Sequence, residues 1–302
     1  MDVALPTLVL ALTLAVLVGV SLGLLGGGGS ILTVPLLVYV LGLPAHEAIA
    51  TSLLVVGTTS IAALVSHAKG GRVKWQTGAL FGAASMVGAF AAGRVAKQIP
   101  ATVLLLLFGG MMLLTAIFMM RGSSAKGADA RKKVEVPALR RYAVIALEGL
   151  VVGAFTGLVG AGGGFLVVPA LVLLGGLEMR DAVGTSLLVI AMKSFAGFAG
   201  YLSSTPIDWT LAALVTAAAV VGSFGGARLA GKVPPALLRR GFAWFVVVMA
   251  VFILSQEVPK AFGVSFTLAE RWPLVLGLVS IPLVAAIVSL ARTARTPAAS
   301  GV

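Results

Sequence analysis

The sequence predicts an all-α integral membrane protein built from two inverted-topology repeats, each carrying a Gly-broken short segment. Three observations lead there: an apolar composition, a long internal repeat, and two short hydrophobic segments at matching places in that repeat. Of 302 residues, 59% are hydrophobic and 11% charged, and the mean hydropathy is +1.10. A water-soluble domain needs far more charge to cover its surface. At about 20 apolar residues per crossing, a chain of this length holds roughly ten membrane segments. The 38 glycines suit a bilayer interior, where small residues let helices approach closely.

The formal net charge of +12 falls between the hydrophobic stretches, so it reads as a set of orientation signals. Without basic and aromatic residues interleaved, it does not point to nucleic acid. The absence of cysteine removes disulfides, thiol redox chemistry and cysteine-ligated metal. Met1-Asp2-Val3 places no basic stretch before the first apolar run, which makes a poor secretory signal. The first segment is expected to belong to the mature fold.

Hydrophobic segments fall near 7–25, 30–43, 48–67, 76–93, 101–120, 142–159, 165–177, 182–203, 209–227, 236–256 and 272–291. Two of them, 30–43 and 165–177, reach only about 20 Å as helices, against a hydrocarbon core of about 30 Å. They are related. Gly23-Leu24-Leu25-Gly26-Gly27-Gly28-Gly29-Ser30 through Pro35 returns as Gly157-Leu158-Val159-Gly160-Ala161-Gly162-Gly163-Gly164 through Pro169, 134 residues on. The same offset maps Thr51-Ser52-Leu53-Leu54-Val55 onto Thr185-Ser186-Leu187-Leu188-Val189, Trp75 onto Trp209, Gly88 onto Gly222, Arg94 onto Arg228 and Pro100 onto Pro234. Chance similarity between apolar stretches matches Leu and Ala, not Trp, Arg and Pro in one register; the chain is a tandem duplication.

The organisation expected is repeat one over 1–120, a basic linker over 121–141, repeat two over 142–256, and an extra helix with a basic tail over 257–302. The linker carries Arg121, Lys126, Arg131, Lys132, Lys133, Arg140 and Arg141 against Asp129 and Glu135. The positive-inside rule puts it in the cytoplasm. Counting crossings outward brings Lys69, Arg72 and Lys74, then Arg228 to Arg240, then Arg292 and Arg295 to the same side. His46, Glu47 and Asp208 fall on the other, with Arg94 and Lys97 as exceptions. Each repeat then crosses an odd net number of times, which inverts the second copy. The expected location is a bacterial inner (plasma) membrane, with the C-terminus cytoplasmic.

Inverted repeats with broken segments at matching positions are the sequence pointer to a transporter site. Gly26 to Gly29 and Gly160 to Gly164 cannot hold a stable helix, and unpaired backbone groups cannot face lipid. They are expected to line a polar cavity, with the restarting helix presenting its N-terminal N–H groups to an anion. Gly28, Gly29, Ser30, Gly162, Gly163 and Gly164 are the candidates there. The flanking Gly19/Gly23 and Gly153/Gly157 pairs read as packing steps. Thr51-Ser52 and Thr185-Ser186 open the following segments, where their hydroxyls either cap a helix or bind an oxyanion.

Away from the segment ends, Lys193 and Glu148 are the charged residues inside hydrophobic segments. Lys193 matches Thr59 and lies too deep to snorkel, so it reads as an anion contact or as half of a buried pair with Glu148. His67 matches Tyr201 and is a candidate, with Glu148, for coupling or counter-charge. Arg94 and Arg228 read as headgroup anchors. There is no P-loop and no HExxH, and no GxSxG stands out as a nucleophile elbow, so no enzyme, metal site or cofactor is expected. Energy must come from an ion or substrate gradient.

A Gly-rich broken segment followed by proline, then Ala50-Thr51-Ser52-Leu53 and Trp75 after a basic loop, all repeated in the second half, resembles the sulfite exporter TauE/SafE family. The resemblance covers roughly residues 8–255. It implies secondary transport of small sulfur-containing anions, sulfite or organosulfonates such as sulfoacetate, with the glycine runs and Thr-Ser pairs as binding elements. A passive anion channel, or a carrier of another small anion such as a carboxylate, would share the same charge logic. Partners expected are the anion and the lipid bilayer.

Overall fold

The computed structural model describes residues 5–25, 30–121, 138–160, 164–173, 176–229 and 235–262. Every element among them is helical: α1 (Leu5–Leu25), α2 (Ser30–Val40), α3 (Ala45–Lys69), α4 (Trp75–Ala96), α5 (Ala101–Arg121), α6 (Ala138–Val159), α7 (Gly164–Leu173), α8 (Met179–Leu202), α9 (Trp209–Leu229) and α10 (Pro235–Ala261). The expected segments are therefore present, apart from 272–291 and most of the basic linker, which lie outside the described residues. Five helices, α1, α3, α4, α8 and α9, are long and apolar enough to cross a membrane.

The two short segments are short helices. α2 begins as a tight turn over Ser30–Leu32 and widens to a π-turn, with Leu41 N–H donating to the Leu36 carbonyl at 3.2 Å. α7 spans 10 residues, about 15 Å. Both end alike: Leu43 N–H donates to Leu37 O, and Leu177 N–H to Leu171 O, each at 3.0 Å. The preceding Gly42 and Gly176 hold φ of 69° and 66°. In each a glycine takes the left-handed conformation that other residues resist and ends the helix, with a closing bond one residue wider than in a Schellman turn.

The chain divides into two compact units. The first, Met1–Leu104 with Ser124–Lys232, holds α1 to α4 and α6 to α9. Its centre is α3 with α8: 67% of the most apolar stretch is buried in each, against 39% in α4 and in α9 and 28% in α1. The outer helices turn large apolar side chains outward, among them Leu5, Val9, Val87, Leu147, Phe155 and Val221, as lipid-facing helices do. Trp75 and Trp209 stand at the starts of α4 and α9, both more than half exposed.

Glycine sets the helix pairing in this unit. α1 packs on α9, and α4 on α6. A Cβ on Gly19 would strike the Ala219 backbone, and one on Gly153 the Ser85 backbone. Gly222 faces Val16 and Val20; Gly88 faces Leu150 and Ala154. Each contact maps onto the other by the 134-residue offset: one interface is made twice, with the repeats exchanged. The flanking glycines thus serve close packing, as the sequence predicts.

α3 and α8 run in opposite directions. Lys74, just past the end of α3, meets Asp181 and Thr185 near the start of α8. Gly57, midway along α3, faces Ser194 and Phe195. Glu47, at the start of α3, meets Asp208, just past the end of α8.

The second unit, Leu105–Ser123 with Val233–Val302, contains most of α5 and α10. Gly109 of α5 lets the Leu254 and Ile253 side chains of α10 approach its backbone. Near the end of α10, Lys260 Nζ donates to Glu257 Oε1 at 2.8 Å.

Candidate functional site

Helix periodicity turns Gly57 and Ser60 of α3, three residues apart, toward one face. That face meets α8 at Ser194, whose Cβ lies 3.3 Å from where a Gly57 Cβ would stand. Ser60 and Ser194 are equivalent under the 134-residue offset. Both are fully buried, and neither hydroxyl has a hydrogen-bond partner among the described residues. Beside Ser194, Lys193 is 1% exposed and donates from Nζ to Thr156 Oγ1 of α6 at 2.8 Å. Thr156 in turn donates to Val152 O at 2.8 Å. Lys193 makes no other hydrogen bond among the described residues. From α8 its ammonium reaches the last turn of α6, where the carbonyl end of the helix favours a cation.

That same turn is where the second break begins, and three side chains from the central helices hold it. Besides Lys193 on Thr156, Tyr201 OH of α8 donates to Leu158 O at 2.8 Å. Ser52 Oγ of α3 donates to Gly160 O, sharing its proton with Ile49 O at 2.7 Å. Gly160 has φ of 73°, and a Cβ there would lie 2.5 Å from Ile49 Cγ2. A side chain at this position would push α3 away from the break.

At the first break the equivalent residues do different work. Thr59, matching Lys193, donates to its own helix at Val55 O, 2.6 Å. His67, matching Tyr201, is buried beside the Gly23 backbone, and its Nδ1 has no hydrogen-bond partner among the described residues. Ser186, matching Ser52, donates to Val183 O at 2.8 Å. The Thr33 hydroxyl of α2 is buried without a partner among the described residues.

The two ends of the central pair differ as well. At one, Lys74 Nζ pairs with Asp181 Oδ2 at 3.0 Å, and Lys74 N–H donates to Thr185 Oγ1 at 2.9 Å. At the other, the offset puts Asp208 in place of Lys74 and Glu47 in place of Asp181. There Glu47 Oε1 accepts from Asp208 N–H at 3.1 Å. Beside it is a cavity of about 230 Å³ lined by Pro44, His46, Glu47, Lys97, Ser204, Thr205 and Pro206. His46 Nε2 lies 3.3 Å and 3.2 Å from the carbonyls of Ala96 and Ile99.

Of the residues the sequence singles out, Gly28, Gly29, Gly162 and Gly163 lie outside the described residues. Ser30 and Gly164 are buried and open α2 and α7. Thr51, Ser52, Thr185 and Ser186 are buried, but the capping expectation for them is corrected. α3 begins at Ala45 and α8 at Met179, so the four hydroxyls lie well inside their helices, and Pro44 and Glu178 are the N-caps. The Lys193–Glu148 pair is also corrected. Lys193 bonds Thr156, and Glu148 lies eight residues earlier on α6, about 12 Å along the axis. Glu148 Oε2 has no partner among the described residues.

The chain matches the sulfite exporter TauE/SafE family over residues 11–253. The chain belongs to the sulfite exporter TauE/SafE family. It is similar to a probable membrane transporter protein of Xylella fastidiosa (strain 9a5c), with 36% identity covering 80% of this chain and 92% of the relative. It is also similar to the probable membrane transporter protein YdhB of Bacillus subtilis, 29% identical over 74% of this chain and 90% of that one. A probable membrane transporter protein of Methanocaldococcus jannaschii is 28% identical over 81% and 96%. No solved structure matches the chain. As a TauE/SafE family member, it is a multi-pass membrane transporter and not an enzyme.

Within the family fold, sequence reasoning passes over Ser60, Ser194, Thr156 and Tyr201 as site residues. A lone serine or threonine in a membrane helix usually bonds its own backbone, which gives no reason to single it out. The usable signal is positional. The offset that pairs Lys193 with Thr59 pairs the next residues as Ser194 and Ser60.

Proposed function

We propose that this protein is a secondary carrier of small sulfur-containing anions, sulfite or organosulfonates such as sulfoacetate, working by alternating access between two inverted-topology repeats. The observation that carries the reading is the exchange of partners. The α1·α9 and α4·α6 interfaces repeat contact for contact under the 134-residue offset, and the equivalent helices α3 and α8 are antiparallel. Two halves related in this way can trade conformations, so that the end closed in one state is the end open in the other.

The unlike ends support such a cycle. The Lys74–Asp181 pair ties one end, and the cavity at Glu47 and His46 opens the other. With Lys69, Arg72, Lys74 and the central linker cytoplasmic by the positive-inside rule, the tied end faces inward in a bacterial inner membrane. In this reading the breaks, with Gly28, Gly29, Ser30, Gly162, Gly163 and Gly164, the Thr51-Ser52 and Thr185-Ser186 pairs, and Lys193 surround the anion. His67 and Glu148 serve coupling or counter-charge.

Counterflow tests the proposal. Proteoliposomes loaded with unlabelled sulfite or sulfoacetate are diluted into the radiolabelled anion. Saturable, transient accumulation that sulfonates inhibit is the expected result. Flux that never saturates and shows no counterflow would replace the carrier with a channel; carboxylates competing as well as sulfonates would replace the substrate class.

A further inference from the structure

We propose, resting on the anion-transport reading above, that the crossing of α3 and α8 is a binding site for oxyanions bearing a single negative charge, formed by Lys193 with Ser60 and Ser194. Hydroxyls in the helices of this protein as a rule return to their own backbone: Thr58, Thr59, Thr115, Ser186, Thr216 and Ser223 all donate to a carbonyl three or four residues back. Ser60 and Ser194 break that rule together, and the offset makes them equivalent to each other. Both are fully buried at the midpoint of the central helix pair, with no partner among the described residues. Leaving a buried hydroxyl unmatched costs about 1–3 kcal/mol. Two at equivalent positions point to a ligand that accepts from both.

Lys193 supplies the charge. Its ammonium has three N–H donors and gives one to Thr156, which holds it at the turn before the second break. Two donors remain for a ligand. Thr156 is a positioning residue here: it fixes the ammonium without itself contacting the anion.

The charge count then sets the class of ligand. Among the residues whose burial is described, Lys193 is the one buried lysine or arginine, and the two breaks contribute only glycine and alanine. Lys193 carries at most one positive charge. It matches a sulfonate or hydrogen sulfite, each with one negative charge spread over several oxygens. A dianion would bring a second charge into a low-dielectric interior with nothing to offset it, which is costly. Within the sulfur anions, the site therefore ranks a monosulfonate above sulfoacetate, and hydrogen sulfite above the sulfite dianion.

The test uses the purified full-length chain and two readouts. In calorimetry and in labelled methanesulfonate counterflow, the wild type is expected to bind methanesulfonate at least about tenfold more tightly than methanedisulfonate or sulfate. Lys193→Met is expected to weaken methanesulfonate about ten- to hundredfold, and Ser60→Ala and Ser194→Ala about three- to tenfold each. Equal competition by the disulfonate overturns the proposal, and that result needs no variant. Wild-type affinity in a folded Lys193→Met, judged by its melting curve, overturns it too; should that variant not fold, the serine variants and the ligand series decide. Counterflow without Lys193 dependence removes the site and leaves the carrier. Lys193-dependent binding without counterflow keeps the site and removes the carrier. Neither binding nor flux of any sulfur anion removes both.

Discussion

If the α1·α9 and α4·α6 interfaces are one interface made twice, the same lesion must cost the same in each. Gly19→Ala and Gly153→Ala are the matched pair. A Cβ at Gly19 would lie 2.9 Å from Ala219 Cα, and one at Gly153 2.6 Å from Ser85 Cα, with the carbonyl oxygens nearer still. Carbon atoms rest at about 3.5–4.0 Å, so each helix pair must open by about 1 Å. Overpacking of this kind costs about 1–3 kcal/mol. At roughly 2–4 °C per kcal/mol for a chain of this size, each variant is expected to melt about 2–12 °C below wild type. The two shifts should agree, and the double variant should show their sum, since the interfaces share no residue. Gly225→Ala, on α9 but with nothing within 4 Å of its Cβ, is the control; it should hold or gain about 0.5–1 kcal/mol from the lost backbone freedom. Melting in detergent by intrinsic fluorescence measures all four. Wild-type melting for either clashing variant, or a large loss in one and none in the other, would refute the equivalence.

The other expectations follow from single contacts. Gly160→Ala combines a left-handed backbone, about 1–2 kcal/mol, with the clash on Ile49, so it should lose clearly more stability than Gly176→Ala. Gly176 has the same conformation in open space and should show the first cost alone; equal melting shifts would mean that α3 does not press on the break. Tyr201→Phe keeps the ring but leaves the Leu158 carbonyl without its donor, an expected loss of about 1–3 kcal/mol in chemical denaturation. Lys74→Ala removes an ion pair whose side chains are 51% and 23% exposed, so it should cost at most about 1 kcal/mol. That cost should shrink as salt is raised, and a larger, salt-independent loss would show the pair to be shielded.

How much of this was legible beforehand depends on the range over which a residue acts. Hydrophobic runs and glycine breaks are local, and they placed every described helix to within a few residues. The 134-residue offset is also readable, because both copies keep Trp, Arg, Pro and the packing glycines that one interface needs. Helix starts were less visible. Thr51 looked like the opening of a helix, yet the chain turns into α3 at Pro44, six residues of apolar and charged side chains earlier. Contacts between the repeats were not legible at all. Nothing within either copy says that Ser52 will reach Gly160 or that Lys193 will reach Thr156, since those pairs exist only once the helices cross.

The crossings also explain where the two copies were free to diverge. The glycines that seat α1 on α9 and α4 on α6 are kept in both, because a Cβ on either side would separate the helices. The offset fails at a subset of the polar positions around α3 and α8: Thr59 against Lys193, His67 against Tyr201, Lys74 against Asp208, Glu47 against Asp181. A perfectly symmetric pair would carry two equal polar faces and two equally tied ends. Placing the lysine on one helix only leaves a single buried ammonium beside the pair, and placing the ion pair at one end only makes the two ends unequal in what ties them.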